Sequence, residues 1–505
     1  MKKFLWIICS LVFLFGCKKE NINQKDECTV ELSQPFANPY LLPDAAQLNE
    51  NKATHKYVRF HIYNSKQYQT LEQQGVVLLD HPFDAIPNKN LIYKTTHTKD
   101  YAIFYGVVPI QFQADAVPYE TLQYLSMPDA STNNRISDAS AKQFSGKITF
   151  FDPIRNSSVP LAGVQVIIKD ATKISTGFSD SNGDFSITPN GNTSDTVEVL
   201  IKFDNNYYEI HTLDAANILN VIGINTFSLG FRKSCAFTQL NIDIGSAFNN
   251  AALHHSCAAL LALNQFKTFA AAQGFLMPTG KMLIWLGKDA PISTSYATPM
   301  LQNMSDQNIS NITQLMASLL GVDPTLAAVI VPIIKDQLPD IYAPYYSTYS
   351  TVARKSFIET LYHELSHSCH YAKVGPAFWL PYVQYIYQNG GYGNPSLPNS
   401  GIVSLSEAWA EDLSNIGLNY TYQQASYLNL NENSNNDWIP YGLYYDLYDT
   451  GNNEAYDQVS SITFPEIYAL FDVNVTSLAI LKSKLKAAYP SQQTYIDFLF
   501  AHYGY

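Results

Sequence analysis

The spacing of apolar positions changes along the chain, and each change predicts a different kind of structure. From about residue 55 apolar and polar residues alternate, as in Tyr57, Val58, Arg59, Phe60, His61, Ile62 and Tyr63, with further apolar runs at 76–79 and 101–105. Alternation is the period of a strand, and a short helix fits at 67–73, so residues 51–130 are expected to form a small α+β module. Residues 129–143 are polar and read as a linker. Residues 144–231 carry strand and turn signals throughout, including a tight Asn182-Gly183 turn between alternating runs. From about 235 the spacing becomes helical. An Ala-rich stretch covers 246–273, a buried strand is expected at 281–286, and helices at 309–320 and 325–337, the second kinked at Pro332. Asp340, Ile341 and Tyr342 read as a short edge strand. The run 352–371 has no Pro or Gly, so a helix can continue through it. There Phe357, Leu361, Leu365 and Cys369 recur every four residues, flanked by Ile358 and Tyr362, and make one face apolar. Residues 372–403 are rich in Gly, Pro and Tyr and are expected to be a loop, and 475–505 a closing helical pair. The expected fold class is multidomain: an α+β N-terminal module, an all-β middle domain and a mainly α domain over 235–505.

The middle segment has two recognisable features. Pro160, Leu161, Gly163 and Val164 lead into a strand, and Gly177, Asp180, Gly183, Phe185 and Ile187 outline a hairpin. On these residues 144–231 resembles the carboxypeptidase regulatory-like domain, a small β-sandwich, which implies a spacer or substrate-positioning module without chemistry of its own. Asp180, Asn182 and Asp184 have a spacing that suits calcium. Gly183 falls where the hairpin turns, and turn chemistry is the preferred account.

The front of the chain is a targeting segment. Lys2 and Lys3 precede a short apolar run ending Leu14, Phe15, Gly16, Cys17. The run is too short to span a bilayer. It resembles the lipobox of bacterial lipoproteins, which implies that residues 1–16 are removed and that Cys17 becomes a lipidated N-terminus. Lys18, Lys19 and Glu20 favour an outer-membrane address, with the body periplasmic or at the cell surface, and residues 17–50 form a tether. Of the other cysteines, Cys28, Cys235, Cys257 and Cys369 remain, and Cys235 with Cys257 is the pair to test for a disulfide. Cys369 reads as a small buried residue.

Composition narrows the partners. The 505 residues are 46% hydrophobic and 15% charged, with formal charge 31 − 43 = −12. No long basic run occurs, which argues against nucleic-acid binding. The negative charge argues weakly against acidic substrates.

The chemistry concentrates in the helix at 352–371. It contains His363, Glu364, Leu365, Ser366 and His367, the His-Glu-x-x-His pattern of zinc hydrolases. Residues four apart share a helix face, so two imidazoles can reach one Zn²⁺ while Glu364 faces its open position as a general base. A plain amphipathic helix with solvated or core histidines is the alternative. The third ligand has several candidates. His370 is on the same helix and reads as an outer or structural residue, because three ligands on one straight helix rarely converge. A metzincin third His would need Gly at 370 and His at 373, where this chain has His370 and Lys373. Forty residues past His367, Ser404, Leu405, Ser406, Glu407, Ala408, Trp409, Ala410 and Glu411 resemble the second helix of gluzincin metallopeptidases.

That resemblance implies a zincin-like catalytic domain with His363, His367 and Glu407 as zinc ligands, Glu364 as general base and Glu411 orienting a ligand histidine. Glu stands at 411 where Asp is common in that family, and the insertion between the helices is longer. A solvated Glu407/Glu411 pair is the alternative for these two. Tyr441, Tyr444 and Tyr445 are candidates for a phenol that stabilises an oxyanion, with core packing the competing role for each. The expected function is zinc-dependent hydrolysis of peptides or proteins by a membrane-anchored enzyme. A surface lipoprotein binding glycans or peptides with a structural or degenerate zinc site, and a zinc hydrolase of non-peptide substrates, are the other readings.

Overall fold

The computed structural model describes residues 53–63, 65–74, 76, 78, 102–114, 117–125, 143–170, 173–189, 196–214, 225–233, 240–245, 250–288, 339–345, 351–428, 438–449, 456–459 and 461–505. Cys17 with the signal and tether, the linker up to residue 142, and the helices expected at 309–320 and 325–337 lie outside these residues. The chain contains both sheets and helices, with a helical C-terminal region.

The alternating residues at the front form β1 (His55–Ile62), flanked by antiparallel β2 (Ala102–Pro109) and β3 (Tyr119–Leu125). Val58, Phe60 and Ile62 meet Tyr68 and Leu71 of α1 (Ser65–Gln73) and Phe104 of β2 in a separate small core.

The β-rich segment makes two sheets. One is antiparallel, in the order β11 (Thr226–Lys233), β9 (Thr196–Lys202), β6 (Gln165–Asp170), β7 (Lys173–Phe178). The other is built on β4 (Phe144–Asp152), which pairs antiparallel with β5 (Ser157–Pro160) and β8 (Asp184–Ile187) and parallel with β12 (Ile242–Ile244). The turn before β8 uses its acidic residue internally. Asp180 Oδ1 accepts from the backbone N–H groups of Asn182 at 2.8 Å and Asp184 at 3.0 Å. Gly183 has φ +76°, and a Cβ there would sit 2.3 Å from the Ile148 carbonyl oxygen. Gly183→Ala is therefore expected to destabilise the protein by about 3 kcal/mol, part from the left-handed backbone and part from the forced shift of β4. Urea unfolding of the full chain measures it, and a loss below about 1 kcal/mol would mean the hairpin opens freely.

Strands cross the boundary placed near 231–235. β10 (Tyr208–Asp214) pairs in parallel with β13 (Met282–Lys288), and β13 in parallel with β14 (Ile341–Tyr345). A parallel pair needs a long crossover, and α2 (Ala251–Gln273) lies within it. In return, β12 joins the sheet of β4. Phe150, Val199, Leu260, Ile284, Leu361 and Leu413 accordingly belong to one continuous core. Short apolar runs give strand type but not partner, which is why the exchange cannot be seen in the pattern.

The helices that matter for chemistry are α3 (Thr351–Val374), α4 (Pro376–Asn389), α5 (Ser400–Tyr422) and α6 (Leu443–Tyr448). They are followed by α7 (Phe464–Leu470), α8 (Leu478–Ala488) and α9 (Gln493–His502). α4 corrects the loop expected over 372–403. Gly375 ends α3, and Pro376 starts α4 at a position where its missing N–H costs nothing. Phe378, Trp379, Tyr382, Val383 and Ile386 then make a buried face at helical spacing. The Gly, Pro and Tyr content of 372–403 reads as irregular, and Pro381 falls inside the helix. α5 packs closely on α3 and α2 because residue 417 is glycine. A Cβ there would lie 3.0 Å from the Phe269 ring and 3.2 Å from the Tyr362 ring. Cys257 and Cys369 are free, buried thiols, and Cys235 lies outside the described residues. Among the described residues no helix is long and apolar enough to cross a membrane.

Candidate metal centre

The apolar stripe of α3 faces the core: Phe357, Ile358, Leu361, Tyr362, Leu365 and Cys369 are all buried. This fixes the rotation of the helix and places His363 and His367 towards α5. On α5 the small Ala408 and Ala410 are fully buried, and Glu407 points back at the two histidines. One donor atom from each of His363, His367 and Glu407 lies within 4.8 Å of the others.

The spacing tells what can sit between them. His363 Nε2 is 3.3 Å from Glu407 Oε2, and His367 Nε2 is 3.5 Å from Glu407 Oε1. Charge-assisted N–H···O bonds are shorter, at about 2.7–2.9 Å. Two ligands on a tetrahedral ion with bonds of about 2.0–2.1 Å are about 3.3–3.4 Å apart. The donor set, two imidazoles and a carboxylate, also suits zinc. The residues present therefore fit the ion.

Glu411 lies one turn beyond Glu407, with Oε2 3.2 Å from His363 Nδ1. Asn415 Nδ2 donates to the other oxygen of Glu411 at 3.2 Å and to its backbone carbonyl at 2.9 Å. In the tautomer with the proton on Nδ1, which the Glu411 carboxylate favours, His363 turns the Nε2 lone pair towards Glu407. Two acceptors facing each other need a cation between them, either a proton or a metal. The charges reflect this. Burial disfavours the imidazolium of His363, yet Glu407 and Glu411 together outweigh it and raise its pKa well above the ordinary value. Burial wins at His367, which is held below the ordinary value. Burial opposes ionisation of Glu407 too, but His367 and His363 keep its carboxyl well below the usual range. Glu364 is buried beside these groups, and its charge bears on His363, Tyr382 and Tyr392.

Two tyrosines that the sequence did not single out touch the centre. The Tyr382 hydroxyl, from α4, donates to Glu407 Oε1. The Tyr392 hydroxyl, from the glycine-rich turn after α4, donates to Glu407 Oε2 at 2.8 Å. Burial and the Glu407 charge raise both phenols well above their ordinary pKa, so both stay protonated donors. The signal for Tyr392 was the run Gly390, Gly391, Tyr392, Gly393. Tyr382 had none, since the stretch 372–403 reads as a loop.

The three tyrosines of 441–445 separate. Tyr441 is half-buried and lies close enough to Tyr392 to raise its pKa. Tyr444 is fully buried, and its hydroxyl donates to the Leu405 carbonyl at 3.1 Å, so it is a core residue and not an oxyanion donor. Tyr445 sits beside Tyr448, and among the described residues its hydroxyl makes no bond to the centre. The segment is anchored by Asp412, whose carboxylate accepts from the backbone of Gly442 and Tyr444 at 2.8 Å each and of Tyr445 at 3.4 Å. His370 is fully buried against the rings of Phe378, Trp379 and Phe471. Neither ring nitrogen has a hydrogen-bond partner among the described residues, so it orients no ligand through a bond. Comparison of the chain with protein-family models, with curated proteins and with solved structures finds no match.

Proposed function

We propose that the chain is a zinc-dependent metallopeptidase of gluzincin type. The observation that carries this reading is the convergence of His363, His367 and Glu407: one donor atom of each lies within 4.8 Å of the others, and the two Nε2 atoms stand 3.3 and 3.5 Å from Glu407 oxygens, longer than charge-assisted hydrogen bonds. Zinc held there supplies Lewis-acid polarisation of a carbonyl and a lower pKa for its water. Glu364, adjacent to His363 on α3, takes the proton from water as its oxygen attacks the carbonyl carbon, and returns it to the leaving amine. Glu411 fixes the tautomer and ring plane of His363. In this reading the 144–231 segment is a regulatory-like β-sandwich spacer, Cys17 carries a lipid, and the enzyme acts on peptides or proteins at the outer membrane.

The test is the metal content and zinc affinity of the purified full chain against Glu407→Ala. The wild type is expected to hold one zinc per chain. The variant is expected to bind at least about 100-fold more weakly, since loss of even an outer partner costs about 10–100-fold. A folded wild type without zinc would overturn the reading in favour of a surface binding protein. Equal retention in both would remove Glu407 from the ligand set.

A further inference from the structure

We propose that Tyr382 and Tyr392 form a clamp on the carboxylate of Glu407 and are positioning residues of the metal centre. This rests on the zinc reading above. The two phenols act on different oxygens, Tyr382 on Oε1 and Tyr392 on Oε2. A carboxylate offers about four lone-pair directions, two on each oxygen. One direction on each is taken by a phenol. Each oxygen also has a histidine beside it, His367 Nε2 at 3.5 Å from Oε1 and His363 Nε2 at 3.3 Å from Oε2. Rotation of the carboxylate about its own bond would break both phenol contacts at 1% exposure, where nothing else replaces them cheaply. Glu407 is thus held with an oxygen beside each histidine.

The clamp is built from two independent supports. Tyr382 is buried on α4, its ring 4.6 Å from Trp379 and 6.1 Å from His367. Tyr392 is carried by a turn that folds back on the centre. Gly390, Gly391 and Gly393 have φ of +63°, +135° and +65°, and a Cβ on Gly393 would meet the Tyr385 hydroxyl at 2.6 Å. Such a turn is accessible to glycine and strained for other residues. It returns the chain so that the Tyr392 hydroxyl reaches Oε2 while about a third of the residue, 36%, stays exposed. Burying an anion asks only for donors from any direction. A donor on each oxygen, from two elements, leaving a lone pair free on each, is what a preset ligand requires.

The experiment is zinc affinity by chelator competition, with the visible spectrum of the cobalt(II)-loaded full chain. The proteins are wild type, Tyr382→Phe, Tyr392→Phe, and Tyr392→Phe combined with Glu407→Ala. Each single tyrosine variant is expected to bind zinc about 10–100-fold more weakly and to change the cobalt bands as the carboxylate reorients. In the Glu407→Ala background, Tyr392→Phe is expected to add nothing, because it acts through Glu407. Tyr392 is less buried than Tyr382, 36% exposed against 8%, so its variant is expected to fold even if Tyr382→Phe does not. Unchanged affinity and unchanged cobalt spectrum in Tyr392→Phe would overturn the clamp and leave the zinc site standing. So would an equal loss with and without Glu407. A wild type that takes up neither metal would overturn the zinc reading and the clamp with it.

Discussion

Glu364→Gln is expected to keep zinc in place and to slow peptide hydrolysis by about 10²–10⁴-fold, the range for loss of a positioned general base. The substitution preserves shape and removes the ability to accept a proton together with the carboxylate charge, which bears on His363, Tyr382 and Tyr392. Glu364 is 3% exposed, so water from bulk does not substitute for it easily. Its carboxylate is outside the three-donor set of His363, His367 and Glu407, so the ligands remain. His363→Ala is different. It removes a ligand and the partner of both Glu407 and Glu411, and both metal and turnover should go. The check is kcat/KM on a peptide substrate together with metal content for each variant. Glu364→Gln within tenfold of wild type would show that Glu364 is not the base. Glu364→Gln without zinc would show that it helps hold the ion.

How much of this was legible in the sequence depends on whether the cause is local. The helix carrying His363, Glu364 and His367 was legible because its cause is local: twenty residues without Pro or Gly and an apolar stripe every four positions. Glu407 and Glu411 were legible as a second pattern, but their approach to His363 depends on Gly417 letting α5 lie against Tyr362 and Phe269, which no local rule reports. α4 was missed because Pro376 and Pro381 outweigh, in any local count, the buried face of Phe378, Trp379, Tyr382 and Val383. With α4 unrecognised, Tyr382 could not be placed at all. The tyrosines of 441–445 drew attention by density. Density measures aromatic content, whereas a role at the centre is decided by one hydroxyl and one distance. Tyr444 spends its hydroxyl on Leu405, and Tyr382 on Glu407. The exchange of β10 and β12 between sheets has the same origin, since pairing partners are set by tertiary contacts.

Three buried histidines that serve no ligand role should each cost the metal-free protein stability in acid. His254, His255 and His370 are 0%, 3% and 0% exposed. Burial lowers their pKa values from 6.5 to about 2, about 4 and about 3, with Arg354 adding to the effect at His254 and His255 and His367 adding to it at His370. Their folded pKa values are depressed, so the unfolded chain takes up protons that the folded chain refuses. Stability is full above pH 6.5 and falls as pH drops towards the folded values. From these three groups alone the slope is about 4 kcal/mol per pH unit between about pH 6 and 4.5, and the carboxyls of Asp340 and Asp412, raised by burial, hold protons in the folded state and offset part of it. The rings pack on Phe150, Phe357, Phe378 and Phe471, all members of the one continuous core, so each protonation weakens the same unit. The decisive comparison is His370→Leu, because that ring makes no hydrogen bond among the described residues. In chelator, urea unfolding of the variant at pH 7 should match wild type within about 1.5 kcal/mol, as for a swap of similar volume. Its stability should then fall less steeply with acid, by about 1.4 kcal/mol per pH unit. Parallel curves for the two proteins would mean that His370 is already charged in the folded state. The aromatic cage of Phe378, Trp379 and Phe471 would then be a cation site rather than an apolar one.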